Sequence, residues 1–86
     1  MKVWIVLWNH RYGTDSMVAG SREAAYKLLA NTVLESAGDE LPRKDEDKLR
    51  DYVRTENYTG AIDFYFNTGK TVDETYEIEE RLVIDT

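Results

Sequence analysis

The chain has 86 residues, no cysteine, ten aromatic residues and a formal net charge of −6. This length is one domain spanning 1–86, and without cysteine it has neither disulfides nor thiolate zinc sites. Its acidic balance does not provide the basic surface that a nucleic-acid backbone requires, so direct nucleic-acid binding is not expected.

Taken in order, Lys2 to Trp8 reads as the first strand. Val3, Ile5 and Leu7 alternate with Trp4, Val6 and Trp8, and successive side chains of a strand point to opposite faces. Both faces are apolar, which places this strand at the centre of a sheet. The run is too short to cross a membrane as a helix, and it lacks the small-residue cleavage site of a signal peptide. Asn9 to Thr14 reads as a hairpin loop in which Gly13 supplies the positive φ such loops need. A shorter, more polar strand from about Thr14 to Ala19 then fits the edge beside the first.

Ser21 is a helix N-cap residue, and Glu23 lies in the first turn, where the helix dipole favours an acid. The spacing of Ala25, Leu28, Leu29, Thr32 and Val33 predicts a helix over 22–37, with Gly38 as its stop. Pro42 interrupts the chain. Residues 44–54 carry a narrow stripe of Leu49, Tyr52 and Val53 among charges, the pattern of a surface helix. Thr59 to Gly69 is ambiguous, because Ile62, Phe64 and Phe66 alternate as in a strand while Ile62, Tyr65 and Phe66 are spaced as in a helix. A helix is preferred, with Thr59 as its cap. The last strand runs from Tyr76 to Ile84. Tyr76, Ile78, Glu80, Leu82 and Ile84 lie on one face, and Glu77, Glu79, Arg81 and Val83 on the other.

The expected fold is therefore α+β: a three-stranded antiparallel sheet, ordered 2-1-3, with two or three helices inserted between strands 2 and 3. The helices are expected over the Val3, Ile5, Leu7 face. That arrangement leaves Trp4, Val6 and Trp8 with little chain to cover them, so Trp4 and Trp8 become candidates for a partner surface or a homodimer interface.

Charge is unevenly placed. Residues 1–70 carry ten Lys/Arg against eleven Asp/Glu, whereas residues 71–86 carry Asp73, Glu74, Glu77, Glu79, Glu80 and Asp85 against Arg81 alone. These acids either solvate an edge strand or form a negative surface for a basic partner. His10, Arg11 and Asp15 are the only group resembling a catalytic site. However, a lone His with no Cys, no nucleophile-elbow Ser and no phosphate-binding Gly loop is explained by a turn, so no enzyme activity, metal or cofactor is expected. Asp45-Glu46-Asp47 reads as an acidic helix start and lacks the alternating ligands and Gly of a calcium loop.

The strand followed by Asn9-His10-Arg11-Tyr12-Gly13-Thr14-Asp15, the Ser21-Arg22-Glu23-Ala24-Ala25 helix start and the closing Tyr76-Glu77-Ile78-Glu79-Glu80 strand together resemble small proteins of bacteria and their phages. The resemblance covers Trp4 to Leu29 and Tyr76 to Ile84. It implies a helix over Ala61 to Phe66 and carries over no catalytic residue. The functional expectation is a non-enzymatic, cytoplasmic, acidic binding protein that docks on a basic, nucleic-acid-handling protein. It would act as a phage-type inhibitor in the manner of anti-CRISPR or DNA-mimic proteins, with Asp73, Glu74, Glu77, Glu79 and Glu80 as partner-binding residues. The alternative is a structural or regulatory homodimer that uses Trp4 and Trp8.

Overall fold

A computed structural model describes residues 2–10, 12–67 and 74–82, apart from the side chains of 38–40. The chain runs β1 (Lys2–His10), β2 (Gly13–Ala19), α1 (Arg22–Glu40), α2 (Arg43–Arg54), α3 (Tyr58–Asn67) and β3 (Thr75–Leu82). The strands form one antiparallel sheet ordered β2-β1-β3, the α+β arrangement expected from the sequence. The β1–β2 hairpin is tighter than expected. His10 lies opposite Gly13, whose φ of 131° is open to glycine and strained for other residues.

The helices cover the opposite face of the sheet from the one expected. Val6 is fully buried and Trp8 is 4% exposed, and both join the core with Ala19, Leu29, Val33, Leu49, Ile62 and Tyr65. Trp4 is half-buried and packs against the same core, whereas Val3, Ile5 and Leu7 lie outside it. Strand alternation divides the two sets but does not say which is buried. Apolar area decides, because two Trp rings withdraw more surface from water than Val, Ile and Leu side chains.

Helix α1 starts as the sequence predicts, with Ser21 Oγ accepting from the Ala24 N–H at 3.1 Å. It continues past Gly38 to Glu40 and ends at Leu41, which is extended and donates its N–H to the Ala37 carbonyl at 2.8 Å. Leu41 is 8% exposed. Its burial in the core and the bar that Pro42 sets on helical geometry in the preceding residue both favour this later stop. Ala25, Leu29, Ala30, Val33 and Ala37 form the buried face of α1, and the three alanines allow close approach by neighbouring elements.

Helix α2 buries only Leu49, with Tyr52 and Val53 half-buried beside it. Its exposed side carries the Glu46–Arg50 and Asp51–Arg54 pairs, at 2.9 and 3.1 Å. The turn into α3 is a Schellman closure: the Asn57 N–H reaches the Tyr52 carbonyl at 2.9 Å and the Glu56 N–H reaches that of Val53 at 3.0 Å. Glu56 occupies the left-handed position, with φ of 62°. The ambiguous segment is the helix α3, burying Ala61, Ile62 and Tyr65 on one face. Its cap is Asn57, not Thr59, since Asn57 Oδ1 accepts from the Gly60 N–H at 3.1 Å. A Cβ on Gly60 would lie 2.6 Å from the Asn57 side chain, so glycine keeps this cap in place.

Candidate interaction surface

The β1–β3 register sorts the acids of the closing strand. Leu7 lies opposite Glu77, Ile5 opposite Glu79 and Val3 opposite Arg81, whereas Trp4 lies opposite Glu80 and Val6 opposite Ile78. Directly paired residues share a face. Glu77 and Glu79 therefore flank the Val3, Ile5, Leu7 stripe on the side away from the helices. On the other flank, Ile5 is opposite Val18 and Leu7 opposite Ser16. Val18 is 65% exposed. The result is a sheet face that no helix covers, with the half-buried Val3, Ile5 and Leu7 at its centre, Glu77, Glu79 and Arg81 along β3, and Ser16 and the exposed Val18 along β2.

Along β3 the two acids are separated by roughly 6.5–7 Å, two residues of strand. Glu77 is exposed and has no ion-pair partner among the described residues. Glu79 is half-buried and accepts from Arg81 Nη2 at 2.7 Å. The margin therefore presents one free carboxylate and one partly neutralised one.

The other expected partner-binding residues are placed elsewhere. Glu80 is on the helix side of the sheet, 3.0 Å from Lys2 Nζ. Glu74 is tied inside the fold, where its Oε1 accepts from Trp8 Nε1 at 3.0 Å and from the Tyr65 hydroxyl at 3.0 Å. It fixes the chain where β3 begins, a positioning role that its place in an acidic run concealed. Trp8 is covered from within the chain, so a Trp-rich sheet surface does not form. Asp73 lies outside the described residues, as do Val83, Ile84 and Asp85. Sequence reasoning missed the residues that make up the bare face: Val3, Ile5, Leu7 and Val18. The alternation in β1 carried their signal, and only the choice of buried side was reversed.

The hairpin group is organised as a clasp. His10 Nδ1 accepts from the Tyr12 N–H at 3.2 Å, so Nε2 carries the proton and donates to Asp15 Oδ2 at 3.0 Å. The ring lies against Trp8, with centroids 4.7 Å apart. Thr14 donates to Asn9 Oδ1 at 2.7 Å, and Asn9 Nδ2 donates to the Thr75 hydroxyl at 3.1 Å, joining all three strands. Every polar atom of the imidazole is used in closing the turn. Among the described residues, no three His, Cys, Asp or Glu side chains gather as a metal site, and no helix is long and apolar enough to cross a membrane.

No family model, curated protein or solved structure matches this chain. Below the sheet face, the core continues as an aromatic series from Trp8 through Tyr65 and Phe66 to Tyr76, with centroid separations of 6.4, 5.0 and 4.8 Å. Burial raises the Tyr76 phenol above its ordinary value near 10, and the Asp63 carboxylate and Tyr26 add to the shift. The face is thus backed by a continuous aromatic layer.

Proposed function

We propose that this chain is a small acidic binding protein, not an enzyme, that docks on a basic protein through the sheet face opposite its helices. The observation that carries this reading is the pairing of a bare apolar stripe with Glu77 and Glu79 in a chain of net charge −6. Apolar surface left open beside oriented charge is the composition of an association site: the stripe supplies affinity, and the carboxylates supply steering and register. Partners that handle nucleic acid have the complementary surface, since they hold phosphates with Lys and Arg. The unpaired Glu77, with Glu79 shared with Arg81 beside it, suits competition for one phosphate site and the edge of the next, a narrower mimicry than an acidic strand in full would provide. Inhibition of the phage type, by occupying such a surface, is the biological role this chemistry supports.

The test is a nuclease-treated pull-down from a bacterial lysate at low and high salt, using the native chain beside Glu77→Lys/Glu79→Lys. The expected result is a basic nucleic-acid-binding protein, identified by mass spectrometry, that is held by the native chain only and released by salt. Equal recovery by both chains overturns the reading. A homodimer is the second reading, favoured by the half-buried Val3, Ile5 and Leu7 on the face without helices and not by the Trp residues. Sedimentation of the purified chain separates the two.

A further inference from the structure

We propose that the occupant of the bare sheet face is an amphipathic α-helix of the partner protein, apolar along one side and bearing Lys or Arg at i and i+4 along its margin. The inference rests on the reading above and specifies how the partner is held. Three features of the face favour a single helix. The first is width: three strands about 4.8 Å apart span about 10 Å, the diameter of one helix with its side chains. The second is length. Val3 to Leu7 covers roughly 13 Å of strand, slightly more than two helical turns of about 5.4 Å each, so apolar residues at i, i+3 or i+4, and i+7 fall along the stripe.

The third is charge spacing. Glu77 and Glu79 lie on the same side of β3, opposite Leu7 and Ile5, roughly 6.5–7 Å apart. Basic residues four apart on a helix are about 6 Å apart along its axis, so one can meet the unpaired Glu77 and the next can share Glu79 with Arg81 while the apolar side rests on the stripe. The opposite margin, Ser16 and the 65% exposed Val18, offers no charge, which sets the side on which the basic residues must lie. A second copy of this chain is a poorer occupant, because it brings another net charge of −6 to an acidic margin. The helices already present follow the same logic on the other face, where a helical layer covers the Trp4, Val6 and Trp8 side.

The probe is a capped synthetic peptide of about 18 residues, long enough to be partly helical alone, with Leu along one face and Lys pairs at i, i+4 on its margin. A control peptide carries Glu in place of each Lys. Binding is read by fluorescence anisotropy, and helicity by circular dichroism on mixing. The expected result is that the Lys peptide binds at least about tenfold tighter than the Glu peptide and gains helicity. In Glu77→Lys/Glu79→Lys the preference reverses, and Val18→Ser, a substitution at an exposed position, weakens the Lys peptide severalfold at all salt concentrations. Equal affinity for both peptides, no reversal of preference, no binding of either peptide, or dimerisation of the chain lost on Val18→Ser would each overturn the helix proposal. If the pull-down remains charge-dependent while the peptides fail, the parent reading stands and only the docking mode falls. If charge reversal changes neither experiment, both fall.

Discussion

Glu56 shows how one residue can fit its surroundings while working against its own backbone. It completes a Schellman closure at φ 62°, a conformation costing an L-residue with a side chain roughly 1–2 kcal/mol. Glu56→Gly is expected to raise stability by about 0.5–1 kcal/mol, the gain being trimmed by the greater freedom of glycine in the unfolded chain. In a domain of this size that is a rise of roughly 2–8 °C in thermal midpoint, measurable by circular dichroism. Glu74 works in the opposite sense. Its Oε1 joins Trp8 of β1 to Tyr65 of α3, and Glu74→Ala leaves the half-buried indole N–H without its acceptor. The expected loss is about 1–3 kcal/mol, with a change in Trp emission on the folded baseline. Glu74→Gln, whose amide oxygen can still accept, should recover most of it. Had Glu74 been a surface contact for a partner, both variants would leave stability unchanged.

At the scale of elements, the two sides of β1 should respond differently to substitution. Ile62 and Leu29 are fully buried on the helix side, and truncation of either to Ala is expected to cost about 2–5 kcal/mol, in the usual range for a core cavity. Val18→Ser on the bare side should stay within about 0.5 kcal/mol. Urea unfolding curves of the three variants would check the contrast, and a large loss at Val18 would mean that the bare face is not free. This difference between faces is also where sequence reasoning met its limit. Element order and the central place of β1 follow from periodicity and punctuation, which are local properties, whereas Tyr58–Asn67 fits both periods, and only its punctuation favours the helix observed. Which face of a doubly apolar strand receives the helices is a comparison of total buried area across the molecule, and no window of sequence contains it. The end of α1 failed for a related reason: Gly38 is a local stop signal, but burial of Leu41 and the demand of Pro42 on its neighbour outweigh it. Asn57 was overlooked as a cap because its role depends on Gly60 leaving room for its side chain. In the candidate site, Glu77 and Glu79 were legible from strand alternation, whereas the separate fates of Glu74 and Glu80 depended on register and on where the chain returns.

At the scale of the whole molecule, pH links the aromatic layer to stability. The folded state holds the Tyr76 phenol protonated beyond its ordinary value near 10. A group with a raised folded pKa contributes its stabilisation below the unfolded pKa and loses it as pH climbs through the folded one. The native chain should therefore lose stability as pH rises above about 10, and Tyr76→Phe should lose less over the same range. Denaturant midpoints between neutral and strongly alkaline pH would reveal the difference, and parallel curves for the two proteins would count against it. Net charge acts in the same whole-molecule sense. A chain at −6 repels itself, so moderate salt should raise the thermal midpoint while weakening any complex formed through Glu77 and Glu79. Opposite salt responses of folding and binding would separate general charge from the two carboxylates of the surface.

The central strand pairs with its two neighbours across very different stretches of chain. β2 joins β1 through a tight hairpin, but the contacts of Trp8 with Glu74 and of Asn9 with Thr75 each span 66 positions. Loop closure over such a distance is slow compared with hairpin formation. The hairpin and helices can assemble while the acidic strand is still unplaced, and docking of β3 is then the late event. Until it docks, Leu7 and Ile5 have no carboxylates opposite them, and the bare face has its apolar stripe without its margin. Before β3 docks, the sheet would therefore offer apolar surface without the charge that borders it in the finished fold, and closure of β3 would supply both carboxylates at once.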